Sequence, residues 1–182
     1  MEDYAWVVEY MSAGRASDSR KESVVQLVGH NFFTLLEASV KPNASMVVGN
    51  KVFVGKGERS EIDRIKGRIA YTQLTNGAQE ILPTVLRRII EERHDLFINF
   101  MNKAAPISMR VHQLDLLPGI GKRNMEEILK EREKGPFTDF VELKKRVPTL
   151  ADPVGIFMHR IISELEGKER YYLFTKPPQR DF

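Results

Sequence analysis

The sequence predicts a mixed α+β protein, with a small N-terminal β-barrel and appended helices followed by an all-α C-terminal domain. Three observations carry this expectation. Up to residue 72, aromatic and β-branched runs alternate with turn-forming residues. From Leu74 onward, apolar residues recur at intervals of three and four. Around Gly119 a glycine-containing turn separates two helical patterns, and a degenerate copy of that arrangement follows near residue 150.

The barrel is read from about five short strands. Residues 6–11, 24–28 and 32–36 are rich in aromatic and β-branched side chains, and the polar stretch 13–21 reads as an exposed, mobile loop. Residues 46–54 read as a hairpin turned at Gly49 and Asn50, and residues 68–71 supply a fifth strand. Thr75 is the expected N-cap of a helix whose apolar face holds Ile81, Leu82, Val85, Leu86, Ile89 and Ile90, with Pro83 dividing or kinking it. A further helix spans residues 95–103. Ala104, Ala105 and Pro106 then break the periodicity and mark the expected domain boundary. The predicted organisation is therefore a barrel over 1–72, connecting helices over 73–105, a helical domain over 106–170 and a tail over 171–182. That tail either pairs as a strand or covers an apolar groove.

Composition narrows the function. The chain has no cysteine, which excludes disulfides, thiolate zinc sites, iron-sulfur clusters and a cysteine nucleophile. No apolar stretch approaches the ~18 to 20 residues needed to cross a bilayer, and the N-terminus is acidic, so the expected location is cytoplasmic. The formal net charge is +3, and 14 basic residues lie on each side of Ala105. Neither half is a polycation, so any nucleic-acid partner must be held by local geometry and small basic patches. His30, His94, His112 and His159 lack paired-ligand spacing, so no metal or other cofactor is expected, and no nucleophile-base-orienter set is legible. Among the charged residues, Glu126 and Lys130 are expected to pair across one helical turn.

The loop Leu117-Pro118-Gly119-Ile120-Gly121-Lys122 carries the chemistry. Val111, Leu114 and Leu117 define an apolar helix face before it, and a helix restarts at Lys122. Glycine at positions 119 and 121 leaves no Cβ to hold a phosphate away, and the amides that open the next helix can converge on an anion. Ile120 is expected to point back as an apolar peg, with Lys122 and Arg123 at the mouth of the loop to add charge-assisted contacts. A bare Gly-x-Gly fits an ordinary helix corner equally well. The longer string from Leu114 to Leu143, with Arg132 and the Gly135-Pro136-Phe137 bridge, is more specific. It resembles the helix-hairpin-helix family of sequence-independent nucleic-acid-binding modules.

That resemblance implies phosphate contacts at Gly119, Ile120, Gly121 and Lys122. It also implies, as in some relatives, a monovalent cation at the carbonyls of Asp115, Leu117 and Ile120. Such modules occur in pairs, but near residue 150 Thr149 and Ala151 replace the glycines and Asp152 stands where a lysine would neutralise phosphate. The second hairpin is expected to serve as a packing partner. With the barrel-like start, Gly55-Lys56-Gly57, the helix start at Leu74-Thr75 and the segment 97–105, most of the chain resembles an archaeal family of unknown function predicted to bind nucleic acid. The resemblance further implies that the barrel is OB-like, a fold that commonly binds single strands with aromatic platforms and a basic groove. Its candidate binding surface is Lys51, Lys56, Arg59, Arg64, Lys66 and Arg68 with Tyr71 and Phe53, although Phe53 lies in an apolar run and a solvated, salt-bridged face reads equally well.

The expected function is non-catalytic, sequence-tolerant binding of a nucleic-acid backbone, with RNA favoured over DNA. The alternative is an adaptor that docks on a protein of an RNA- or DNA-processing complex. A third reading is an accessory domain of a nuclease or glycosylase whose catalytic chain is separate.

Overall fold

The computed structural model describes residues 1–14 and 22–177, so most of the predicted 13–21 loop and the end of the tail lie outside the described residues. It is a mixed α+β structure of two compact units, one formed by Met1–Val85 with Ile161–Phe182 and the other by Leu86–Arg160. The division falls within two helices. Residues 104–106, where the periodicity breaks, lie inside the second unit.

The first unit holds a curled, five-stranded antiparallel sheet, a half-barrel. Its strands are β1 (Tyr4–Met11), β2 (Val24–Gly29), β3 (Leu35–Val40), β4 (Lys51–Phe53) and β5 (Ile62–Arg68), in the order β4-β1-β2-β3-β5. Period-two alternation sends Ala5, Val7, Val25, Leu27, Leu36 and Ala38 to one face, where Val52, Val54 and Ile62 complete a core. A register shift between Val7 and Glu9 then turns Glu9 to the opposite face.

That opposite face is buried too, because all six residues of β2 are inaccessible. Gln26 lies among them with no exposure. Its Nε2 donates to the Gln73 carbonyl (3.0 Å), and its Oε1 accepts the Thr75 amide (2.9 Å). Thr75 Oγ1 donates to Glu9 Oε2 (2.8 Å) and accepts the Ala78 amide (3.0 Å), which is the N-cap expected of it. The start of α1 (Asn76–Glu92) is thereby tied to the sheet.

Several strands differ from their predicted bounds. Residues 46–50 form no hairpin arm. Instead the Val7 amide donates to the Asn50 carbonyl and the Gly49 amide to the Val7 carbonyl, so the segment pairs with β1 through a turn, and Gly49 takes the positive φ (87°) that the turn needs. Phe32, Phe33 and Thr34 belong to the β2–β3 connection, and β3 begins at Leu35. There the Glu2 carboxylate accepts the amides of Asn31 (2.8 Å), Phe32 (2.8 Å) and Thr34 (3.3 Å), which holds the connection as a turn. The fifth strand ends at Arg68, and Tyr71–Gln73 form a 3-10 turn. α1 continues through Pro83.

The tail makes no strand among its described residues. Its Leu173, Phe174 and Thr175 amides donate to the wholly buried Glu164 carboxylate at 2.7, 3.1 and 2.9 Å.

The second unit contains α2 (His94–Lys103), a two-stranded ribbon of β6 (Pro106–Ser108) and β7 (Val111–His112), a 3-10 turn (Gln113–Leu116), α3 (Lys122–Glu133) and α4 (Phe140–Arg146). It also holds most of α5 (Pro153–Leu165). Phe157 is the hub of its core, with Phe97, Phe100 and Phe140 at ring-centroid distances of 4.8, 6.0 and 6.2 Å. The helix predicted through Val111, Leu114 and Leu117 is replaced by β7 and the short 3-10 turn. Asp115 Oδ2 accepts the His112 amide (2.9 Å) and His112 Nδ1 accepts that of Leu114 (3.1 Å), so side chains take the donors a longer helix would have used.

The tie at Gln26 is testable. Replacement by leucine keeps the volume but leaves the Thr75 amide and Gln73 carbonyl without their buried partner, and the expected loss is about 1 to 3 kcal/mol in urea unfolding. A loss below about 0.5 kcal/mol would show that water or backbone adjustment replaces the tie.

Candidate nucleic-acid interface

The loop before α3 is built by burying its apolar residues and leaving its glycines in the open. Leu114, Leu117 and Ile120 are buried, so Ile120 is the inward peg expected of it. Gly119 and Gly121 are exposed, and a Cβ added to either would meet no atom within 4 Å. Gly119 has φ +81°, a conformation that strains other residues, whereas Gly121 has φ −82° and ψ 175° and is the N-cap of α3.

Gly121 has no side chain to accept from the first turn of the helix, and no cap hydrogen bond is made there. The first backbone bond of that turn runs from the Met125 amide to the Gly121 carbonyl (3.0 Å). Among the described residues, the amides of Gly119, Gly121, Lys122, Arg123 and Asn124 therefore have no internal acceptor, while the Ile120 amide is used by the Leu117 carbonyl (3.1 Å). Lys122 and Arg123 are exposed and make no ion pair with any described residue. Five unused donors, two unneutralised cations and the positive end of a 12-residue helix thus share one surface.

Arg132 has a different task. Its Nη1 donates to the Met101 and Ala104 carbonyls at 3.2 and 2.8 Å, which satisfies the C-terminal end of α2. The Gly135-Pro136-Phe137 bridge is likewise internal. Asn102 exchanges two hydrogen bonds with the Phe137 backbone (2.8 and 2.9 Å). The Arg146 guanidinium lies 4.4 Å from the Phe137 ring centroid, donates to the Gly135 carbonyl (2.8 Å) and pairs with Glu131. Among the described residues the pair expected between Glu126 and Lys130 is not made; on this helix Glu131 pairs with Lys134 and Arg146.

The second loop is closed by its own side chains. Asp152 Oδ1 accepts the Gly155 amide (2.9 Å) in the first turn of α5, and Asp152 pairs with Arg87, which is the main reason its carboxyl lies below the ordinary aspartate range. Thr149 Oγ1 donates to Glu127 (3.2 Å). The first-turn amide of Gly155 is therefore already taken by a carboxylate.

The residues predicted as a barrel surface do not form one patch. Lys51 is on edge strand β4, with its ammonium 5.7 and 5.6 Å from the Tyr4 and Trp6 ring centroids. Lys56 is exposed, and Arg59 Nε donates to the Gly55 carbonyl (3.0 Å). Arg64, Lys66 and Arg68 line the other edge strand, β5, where Lys66 pairs with Glu22 at 3.2 Å. Phe53 is half-buried against Tyr4, with ring centroids 5.4 Å apart. Tyr71 is half-buried, and burial followed by the nearby Glu166 pushes its hydroxyl pKa up. Arg68 and Tyr71 do meet, in a cleft of about 180 Å³ that also contains Phe32 and Lys176. Sequence reasoning missed Phe32 and Lys176, because one lies in a run that reads as strand and the other in the tail.

Of the Asp115, Leu117 and Ile120 carbonyls implied to hold a cation, that of Leu117 accepts the Ile120 amide (3.1 Å). Among the described residues no group of three or more His, Asp or Glu could hold a metal ion, and no helix is long and apolar enough to cross a membrane.

The model of the DUF655 family, described as a protein of unknown function, matches residues 1–176. The chain belongs to the DUF655 family. An uncharacterized protein of Methanocaldococcus jannaschii is 39% identical over 177 residues, covering 96% of this chain and 80% of that one. A crystal structure of a DUF655 protein from Archaeoglobus fulgidus superposes with a TM-score of 0.91 at 39% identity, covering 96% of this chain and all of that one. The expected family of unknown function with archaeal relatives is thus established for this chain, and the matched span of this DUF655 protein takes in all of the second unit and the first up to residue 176.

His112, just before the loop, generates a pH prediction. Its Nδ1 must be unprotonated to accept the Leu114 amide, and burial followed by Arg132 pushes its pKa below the ordinary 6.5, against the pull of Asp115. The unfolded chain takes up the proton more readily, so this contribution is complete above pH 6.5 and lost as pH falls below it. Comparing urea midpoints at about pH 7.5 and 5.5, the wild type should lose more stability than His112→Asn, whose amide oxygen accepts without titrating. Equal losses would assign the pH dependence to other groups.

Proposed function

We propose that this DUF655 protein is a non-catalytic, sequence-tolerant nucleic-acid-binding protein, with RNA favoured over DNA. In this reading residues 106–170 are a helix-hairpin-helix domain whose first hairpin grips the backbone. One contrast supports it above all. In the second unit α4 is capped by Asp139, which accepts the Glu142 amide (2.8 Å), and α5 by Asp152, whereas α3 begins at a glycine with its amides unused. Unused amides at a helix N-terminus, flanked by Lys122 and Arg123, suit a phosphate oxygen and carry no information about base identity. The short 3-10 element in place of a full first helix does not alter this, because the donors belong to the turn and to α3.

The OB-like reading of the first unit draws on strand order. The edge strands β4 and β5 are consecutive in sequence, as they are when a five-stranded Greek-key barrel stays open between its last two strands. The broad face that such barrels often use is covered along β2, so the first hairpin is the principal backbone contact. Openness around Gly119 and Gly121 also favours this reading over an adaptor docked on a protein through the same loop.

Binding of labelled RNA and DNA across a salt series tests the proposal. Lys122→Glu should weaken binding about tenfold or more, roughly evenly across sequences, and reduce the slope of log affinity against log salt by about one. Gly121→Asp should abolish binding while leaving the melting temperature unchanged or slightly raised. The Gly121 backbone accepts any residue, and aspartate there would cap α3 as Asp152 caps α5. Undiminished binding by both variants would reject the hairpin as the contact.

A further inference from the structure

The cleft in the first unit is a second place where chemistry gathers, and it is built from segments far apart in sequence. The β2–β3 connection brings Phe32, the end of β5 brings Arg68, the following 3-10 turn brings Tyr71, and the tail brings Thr175 and Lys176. Its volume of about 180 Å³ is below the ~300 Å³ where sites for drug-sized ligands begin, so it suits a single ring system rather than a dinucleotide.

Two of the walls are aromatic. Phe32 is 41% exposed, unusual for a phenylalanine, and the Lys176 ammonium stands 5.5 Å from its ring centroid. Arg68 is exposed and has no ion-pair partner among the described residues. The one carboxylate in the cleft, Glu164, accepts three tail amides, so backbone donors stabilise its charge from inside the fold. Thr175 Oγ1 is the one buried side-chain polar atom among the described residues without a hydrogen-bond partner.

We propose that this cleft binds one nucleotide, free or as the end of a single strand, with its base against Phe32 and Tyr71 and its phosphate held by Arg68 and Lys176. The inference rests on the reading of the protein as a nucleic-acid binder and adds a site separate from the hairpin. Flat apolar walls select a ring and two cations select an anion, and a nucleotide carries both. Stacking tolerates any base, which accords with backbone binding that ignores sequence.

The test titrates the isotopically labelled full chain with adenosine and cytidine monophosphates, and with a hexanucleotide bearing either a phosphate or a hydroxyl at its 5′ end. Chemical shifts are followed by NMR in the wild type, Arg68→Glu, Lys176→Glu, Tyr71→Leu and Lys122→Glu. The expected result is mononucleotide shifts confined to the cleft, affinity reduced at least tenfold by Arg68→Glu and by Lys176→Glu with unchanged melting, and no effect of Lys122→Glu on the mononucleotide. A preference for the phosphorylated hexanucleotide that Arg68→Glu removes identifies a strand end as the ligand, whereas equal binding of both hexanucleotides assigns the cleft to free nucleotides. Absent mononucleotide shifts, shifts mapping elsewhere, or affinity untouched by Arg68→Glu and Lys176→Glu would overturn the cleft site, even where Lys122→Glu still weakens the hexanucleotide. Cleft binding that persists while Lys122→Glu leaves strand binding intact would instead overturn the hairpin and retain the cleft.

Discussion

The amides that open α3 are the constraint around which the second unit is arranged. A helix start without a capping side chain leaves its donors to solvent or to a ligand, and it holds its position only if the rest of the turn is anchored. Leu114, Leu117 and Ile120 provide that anchor from below, while Arg132 ties α3 to the carbonyls that end α2. Arg146 fixes the bridge between α3 and α4 through Glu131, Gly135 and Phe137. The exposed donors thus sit on a scaffold whose own hydrogen bonds are met internally.

The second loop shows what the same scaffold does when its donors are satisfied. Asp152 caps α5 and pairs with Arg87, and Thr149 reaches Glu127. A carboxylate in that position stabilises the helix start by accepting its amides, which a glycine leaves unused. The first unit uses the same device at two buried carboxylates. Glu2 and Glu164 each accept three backbone amides, and each fixes a connection that has no regular secondary structure.

Local signals were legible wherever the chemistry was local. Thr75 could be read as a cap because a hydroxyl three residues before an amide needs no distant partner, and Ile120 could be read as a peg because its neighbours are glycines and apolar anchors. The strand ends were misplaced where long-range bonds decide them. Phe32 to Thr34 have strand-like composition, but the Glu2 carboxylate, about thirty positions away, takes the amides of Phe32 and Thr34. The same limit hid the 3-10 turn at Gln113–Leu116, because two side chains on either side of Gln113 replace helical bonds there.

The sequence by itself determined the mixed α+β class, the loop from Leu117 to Lys122, and its difference from the loop near residue 150, where Thr149 and Ala151 stand against the glycines and Asp152 against the lysine, all properties of single positions. Tertiary structure decided which donors remain unused, that the broad face of the sheet is covered along β2, and that Phe32, Arg68, Tyr71 and Lys176 share one cleft. The physical reason is range. Backbone preferences and caps act over three or four residues, whereas burial and clefts depend on segments that meet only after the chain has closed on itself.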